Sequence, residues 1–196
     1  MLKKSLVVAL VAVCFAGTAA ADIVCPDSSY CVVNIGTKDR VTIAPNGAGE
    51  TFAATGITIQ VYLRNCNGAP LVGVPRQEIV IYNSGLCICP GGNVADLATD
   101  VNGMAAFSGT IRGGGCVESL TIFADGIAIC TIPVKTNSPD HVPASPCAVD
   151  AGDLGSFAAR LGIPAQYNIC WDYNETGAID AGDLAFFTSF LGAACQ

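Results

Sequence analysis

Ten cysteines, Cys25, Cys31, Cys66, Cys87, Cys89, Cys116, Cys130, Cys147, Cys170 and Cys195, follow residue 22 of this 196-residue chain, and they restrict its fold more than any other feature. An even, dense set is a disulfide framework in a chain that meets an oxidising compartment. Zinc is the competing use of clustered cysteines. Here Cys87-Ile88-Cys89 is the one close pair, its single intervening residue is too few for zinc, and the sole histidine, His141, is far along the chain. Parity restricts the fold further. Seven of the ten precede residue 136 and three follow it, so full oxidation within one chain requires at least one bridge between the two parts.

The eleventh cysteine, Cys14, belongs to a different kind of segment. Lys3 and Lys4 precede an apolar run over residues 6–15 and then the small residues Ala16, Gly17, Thr18, Ala19, Ala20 and Ala21. That pattern predicts a secretory signal peptide over residues 1–21. The apolar run is short for a bilayer span, and no later segment approaches the roughly 20 apolar residues that spanning needs. The expected protein is therefore secreted, extracellular or on the cell surface, without a membrane span.

Without Lys3 and Lys4, seven basic residues face sixteen acidic ones, a net charge near -9. Nucleic-acid binding rests on phosphate neutralisation by Lys and Arg, so this balance excludes nucleic acid as a partner. It suits cations. Charged residues are 13% and apolar residues 52%, which indicates a packed chain and not a disordered one.

Residues 30–35, 41–43, 57–64, 78–82, 104–111, 119–123 and 127–134 read as short strands, separated by the turn signals Asn46-Gly47, Asn67-Gly68, Asn102-Gly103 and Asp125-Gly126. Such spacing predicts an antiparallel β-sandwich or barrel over residues 22–135. Residues 136–146 have no periodicity and several breakers, and read as a linker. Residues 147–196 form a second module. Within the β-rich part, the phrase Asn67-Gly68-Ala69-Pro70-Leu71-Val72-Gly73-Val74, followed by Thr99-Asp100-Val101-Asn102-Gly103-Met104-Ala105-Ala106-Phe107, resembles the bacterial Ig-like domains of the invasin and intimin type. The resemblance covers about twenty residues and implies an Ig-like sandwich.

The second module contains a repeat. Ala148-Val149-Asp150-Ala151-Gly152-Asp153-Leu154 returns thirty residues later as Ala178-Ile179-Asp180-Ala181-Gly182-Asp183-Leu184. The agreement continues at Phe157 and Phe187, Leu161 and Leu191, and Gly162 and Gly192. In each copy Leu, Phe and Leu fall at i, i+3 and i+7, on one face of a helix that Gly terminates. Isolated helices of this length are marginal in water, so the two are expected to bury those faces against each other.

The segment before the second helix reads as a twelve-residue calcium loop. Asp172, Asn174, Thr176, Asp180 and Asp183 supply oxygen at positions 1, 3, 5, 9 and 12, Ala178 the carbonyl at position 7 and Gly177 the sharp turn at position 6. In the first copy, counted back by the same thirty residues, positions 1, 3 and 5 fall at Val142, Ala144 and Pro146. Asp150 and Asp153 alone do not enclose calcium, so one Ca2+ site is expected. A polar turn with a helix N-cap would explain Asp180 and Asp183. It leaves Asp172, Asn174 and Gly177 unexplained.

A duplicated calcium loop and helix of this length closely resembles the dockerin family, over residues 147–191. The resemblance implies a two-helix, dockerin-like module that binds a cohesin-like or surface scaffold partner, with Ala151, Gly152, Ala181 and Gly182 at the partner-recognition positions. Thr176 stands where the family usually has Asp, which removes one carboxylate. Dockerin termini lie close together, so the resemblance implies Cys147 with Cys195, a choice that leaves Cys170 to cross to the β domain, while the sequence itself leaves the other assignments open.

Chemistry beyond calcium finds little support. His141 reads as a solvated linker residue, and a Ser-His-Asp or Cys-His site would have to use it. Glu50, Glu78, Asp96, Asp100, Glu118 and Asp125 lie singly in strands or in turns and nominate no glycosidase pair. Sugar-binding faces need several exposed rings, and the one tryptophan, Trp171, adjoins the calcium loop and is expected to pack beneath it. The fold expected is mainly β with a small α module, and the function non-enzymatic docking. A structural or adhesive surface subunit is the alternative, and a small secreted hydrolase the third.

Overall fold

The computed structural model describes residues 23–36, 38–141 and 147–196. The expected signal peptide, and Val142, Ala144 and Pro146 of the first loop, lie outside the described residues. The chain is mainly β. It runs through β1 (Tyr30–Asn34), β2 (Arg40–Thr42), the one-turn α1 (Phe52–Thr55), β3 (Thr58–Tyr62), β4 (Ile79–Tyr82), β5 (Cys87–Ile88), β6 (Met104–Phe107), β7 (Gly113–Gly114), β8 (Leu120–Ala124), β9 (Ile127–Ile132), β10 (Lys135–Asn137), α2 (Ala151–Ala158) and α3 (Ala181–Ser189).

Alternation decides which face each strand buries. Ile59 and Val61 of β3 are buried, as are Leu120, Ile122 and Ala124 of β8, with more exposed residues between them. β3 pairs antiparallel with β1 and β6, and β8 pairs antiparallel with β4 and β9. The two three-stranded sheets turn their apolar rows onto one core, which includes Val61, Phe107, Ile79, Ile81, Leu120 and Ile132. Two antiparallel sheets facing across a shared core make a sandwich. Cys31–Cys130 ties β1 of one sheet to β9 of the other, and Cys25–Cys66 closes the N-terminal loop. Short ladders join β5 to β7, antiparallel, and β10 to β2, parallel.

The turn phrases act as the sequence implies. Asp125 and Gly126 both take positive φ, the two-residue hairpin geometry that joins β8 to β9. The two Ig-like phrases also bind each other. Gly73 donates to the Thr99 carbonyl, Thr99 to the Val74 carbonyl, and Val74 N–H to Thr99 Oγ1. Asp100 Oδ1 accepts from Asn102 and Met104, and those bonds hold its carboxyl below the usual range.

Three departures from the sequence reading have local causes. The strand expected over 104–111 ends at Phe107, because the carbonyls of Ser108 and Gly109 accept from Ala53 and Phe52 at the start of α1. β5 and β7 have two residues each, too short for a periodicity. Part of the stretch read as a linker is strand: β10 contains Thr136 and Asn137, and these residues, Ser138 and Asp140 are all buried. The buried Arg40 guanidinium donates to the Thr136 carbonyl at 2.9 Å, and Thr42 Oγ1 to Asn137 Oδ1 at 2.9 Å.

Three disulfides join the β domain to the C-terminal module: Cys87–Cys147, Cys89–Cys195 and Cys116–Cys170. The one crossing that parity required is therefore met three times, with Cys170 among the crossing residues. The implied Cys147–Cys195 bond is not formed, since Cys87 and Cys89 take those partners. The five disulfides among the described residues indicate an oxidising environment. In the module α2 and α3 meet through Phe157 and Phe187, 5.3 Å apart, over a core that includes Trp171, Tyr173, Ile179 and Ala44 of the β domain. Among the described residues no helix is long and apolar enough to cross a membrane.

Glycines at two places should respond oppositely to Ala. A Cβ on Gly113 would collide with the Cys87 carbonyl across the β5–β7 ladder, whereas one on Gly155, inside α2, meets nothing within 4 Å. Gly113→Ala is expected to lose about 2 kcal/mol by overpacking. Gly155→Ala is expected to gain about 0.7 kcal/mol by helix propensity. Denaturant unfolding of both variants checks the signs.

Candidate metal loop and the buried junction behind it

Each helix of the module begins with the same pair of aspartates. Asp150 and Asp180 are the N-caps of α2 and α3, and Asp153 and Asp183 at the third helical position bond back to the cap amides. Those return bonds are 3.0 Å from Asp150 N to Asp153 Oδ2 and 2.9 Å from Asp180 N to Asp183 Oδ2. The other oxygen of Asp183 accepts from Tyr173 N at 2.7 Å and Asn174 N at 3.2 Å. Asp183 is fully buried, so it fastens the start of the loop to the start of the helix.

Asp172 organises the loop from the other end. Its Oδ1 accepts from Thr176 N at 3.0 Å and its Oδ2 from Gly177 N at 2.8 Å, and Tyr167 donates its hydroxyl to Oδ2 at 3.0 Å. Gly177 has φ +83, the left-handed turn expected at position 6. Asn174 Oδ1 accepts from Thr176 Oγ1 at 3.0 Å. Asn174, Thr176, Ala178 and Asp180 are exposed. The oxygen-only donor set of Asp172, Asn174, Thr176, Ala178, Asp180 and Asp183 suits a hard cation such as calcium. Among the described residues, two groups of His, Cys, Asp or Glu bring their ligand atoms within 4.8 Å of one another: Cys89, Cys147 and Cys195, and Cys87, Asp140 and Cys147. Neither contains an acid of this loop.

Ala151, Gly152, Ala181 and Gly182 are exposed at the helix starts. Gly182 also has a local reason to be small, since a Cβ there would approach Asn174 Nδ2 at 2.6 Å. Beside the loop lies a cleft of about 450 Å³, whose lining includes Ile163, Pro164, Tyr167 and Ile179.

The first copy holds a residue that fixed thirty-residue counting misses. His141 N donates to Asp153 Oδ1 at 2.9 Å, the counterpart of Tyr173 N to Asp183 Oδ1. Asp140 therefore precedes His141 as Asp172 precedes Tyr173, and the first loop is two residues longer. Asp140 is 1% exposed, and among the described residues neither carboxylate oxygen accepts a hydrogen bond of good geometry. Burial, then the charge of Asp153, pushes its carboxyl up to about 7, with Asp150 adding and the Ala148 amide opposing.

His141, expected in solvent, is at this junction. Its ring stacks on Trp171 with centroids 3.2 Å apart, and its Nε2 lies 2.8 Å from the Tyr173 hydroxyl. Burial, aided by the Arg160 charge, pulls the imidazole down to about 3, so it is neutral at physiological pH. Trp171 is buried beneath the loop, as expected, and the Arg160 guanidinium lies 5.0 Å from its ring.

No family model matches the sequence, and no curated protein shows significant similarity to it. Among solved structures the chain is similar to the crystal structure of the Lin-41 filamin domain, at 19% identity, over 59% of this chain and 95% of that one, with a TM-score of 0.30.

The junction makes the pH dependence of stability a sum of opposed contributions. Between pH 3.8 and about 7 the folded Asp140 binds the proton that its unfolded counterpart releases, so acidification stabilises. Between pH 6.5 and about 3 the unfolded His141 binds a proton that the folded ring refuses, so acidification destabilises. Relative to wild type, Asp140→Asn should lose melting temperature more steeply from pH 7 to 4, and His141→Phe less steeply. Thermal melts across that range read both signs.

Proposed function

We propose that the chain is a secreted, non-enzymatic protein whose dockerin-like module binds one calcium ion and docks an Ig-like sandwich to a cohesin-type or cell-surface partner. The observation that carries the reading is the loop from Asp172 to Asp183. The carboxylates of Asp172, Asp180 and Asp183 and the side-chain oxygens of Asn174 and Thr176 fall at ligand positions within twelve residues containing no Lys or Arg, and Asp172 and Asp183 are held by backbone amides at its two ends. A hard divalent cation balances that charge. Ala151, Gly152, Ala181 and Gly182 are the exposed, duplicated positions open to a partner.

One observation favours the second reading, a structural or adhesive subunit. Three disulfides tie the module to the sandwich, which suits a rigid assembly unit as well as a docking arm. Sedimentation with and without calcium separates the two, because an assembly subunit self-associates and a docking protein remains monomeric.

Calcium is expected to raise the melting temperature of the mature protein, with a gain of about 3 kcal/mol when its concentration is a hundred times Kd. Asp172→Asn combined with Asp180→Asn should remove most of that gain, while residue 180 keeps an acceptable N-cap. Asp150→Asn should leave it intact. The quantity to compare is the difference with and without calcium, because Asp172 also holds loop amides. An undiminished response in the double variant overturns the site.

A further inference from the structure

The cleft beside the metal loop, about 450 Å³, has the size of pockets that hold ligands. One wall is the turn after α2, with Ile163, Pro164 and Tyr167, and the other is the loop, with Gly177 and Ile179. Two hydrogen-bonded braces join the walls. At one, Gly162 N donates to the Ile179 carbonyl at 2.9 Å. At the other, Asp172 Oδ2 accepts from the Tyr167 hydroxyl at 3.0 Å and from Gly177 N at 2.8 Å. The cleft is therefore formed before anything enters it, and an occupant loses little affinity to ordering its walls.

Its chemistry has two parts. Ile163 and Tyr167 are 46% and 42% exposed, and the buried Ile179 completes the apolar lining. An apolar group that enters removes its own surface and theirs from water. The border is acidic. Asp180 lines the cleft and is exposed, and Asp172, Glu175, Asp180 and Asp183 lie within twelve residues that contain no Lys or Arg. Lys38 of the sandwich reaches Glu175 at 3.7 Å. That ammonium and a calcium ion together still leave negative charge unbalanced at the cleft.

Asp180 leads directly into Ala181 and Gly182, whose side chains are too small to tell one partner from another. A partner lying over those residues meets the cleft next. We propose that this cleft is the selective part of the docking surface, and that it takes from a partner protein one apolar side chain, aromatic or branched, with a Lys or Arg beside it. The apolar side chain fills the space lined by Ile163, Tyr167 and Ile179, and the cation faces Asp180. The inference rests on the docking reading of the module and adds the partner's chemistry to it.

The test uses the full mature protein with carbon-13 in its isoleucine methyl groups, in calcium buffer so that a basic probe does not merely enter an empty metal loop. The probes are the capped tetrapeptides Gly-Phe-Lys-Gly, Gly-Phe-Glu-Gly and Gly-Ala-Lys-Gly, and phenethylamine. The Phe-Lys peptide should shift the Ile163 and Ile179 methyl signals saturably and leave those of Ile59 and Ile122, in the sandwich core, unmoved. It should bind about threefold tighter than the Phe-Glu peptide, the scale of one exposed ion pair. The Ala-Lys peptide should shift neither signal. Ile163→Ser should weaken the Phe-Lys peptide about tenfold, with Ile179 as reporter, and Ile163→Leu should restore it. Equal binding of the Lys and Glu peptides, shifts spread through the sandwich, or unchanged affinity in Ile163→Ser overturns the proposal. Phenethylamine that binds as tightly as the Phe-Lys peptide also overturns it, because the cleft is then a site for small amines. Calcium-dependent melts of the same samples keep the two claims apart. Absent peptide binding with calcium stabilisation intact removes the cleft alone, whereas peptide binding without calcium stabilisation upholds the cleft and removes the metal loop.

Discussion

Three covalent ties between the sandwich and a module of two short helices govern the rest of the structure. Helices of eight and nine residues do not persist alone in water, because a costly nucleus is repaid by few hydrogen bonds. Phe157, Phe187, Trp171 and Tyr173 give them a small aromatic core, and the disulfides at Cys147, Cys170 and Cys195 reduce the freedom the unfolded module would otherwise have. Two bridges enter side by side, at Cys147 and Cys195 of one antiparallel ribbon, and the third enters at Cys170, so together they fix the module's orientation as well as its proximity. That fixed orientation encloses Asp140 and His141. Their shifted proton affinities result from the joint, since neither loop alone would exclude water from them.

The parts of the fold legible in the sequence were those with local causes. The seven expected strands correspond to β1, β2, β3, β4, β6, β8 and β9, because β-rich runs between Gly-containing turns report their own geometry. β5, β7 and β10 were illegible for the converse reason. Cys87 and Ile88 pair with two glycines, and β10 precedes Pro139 and Asp140 in a stretch rich in breakers. What makes residues 135–137 a strand is β2, almost a hundred residues earlier, a tertiary partner that no window contains. His141 was misplaced similarly. Its composition is that of a linker, whereas its burial comes from Trp171 and Tyr173.

The cysteine pairing shows both the reach and the limit of counting. Odd numbers on each side of residue 136 required a crossing bridge, and the crossing of Cys170 followed once the other two C-terminal cysteines were paired with each other. Parity is also satisfied by three crossings, the number formed. Choosing between one and three depends on whether the strand of Cys87 and Cys89 reaches the terminal ribbon. Proximity of Cys147 to Cys195, inferred from the dockerin resemblance, is present in the ribbon, but proximity alone does not select a bond when Cys87 and Cys89 also reach it.

The duplicated aspartates separate two kinds of work that the repeat conflates. Asp150 with Asp153 and Asp180 with Asp183 form the same capping box in both copies, so satisfying the first amides of a helix is reason enough to have them. Asp153 and Asp183 then bond the amide after Asp140 or Asp172, which explains why they are buried without any metal. The copies diverge at the residue before that amide. Asp172 is surrounded by donors, the amides of Thr176 and Gly177 and the Tyr167 hydroxyl, and sits in a loop whose remaining oxygens are exposed. Asp140, opposed only by the Ala148 amide among the described residues, faces two sulfurs and two other acids. A carboxylate held in place by oriented amides among exposed oxygens is positioned to meet a cation. A carboxyl buried beside other acids with little donor support is driven to hold a proton. The same repeat thus yields a candidate metal ligand in one copy and a buried acid beside disulfides in the other.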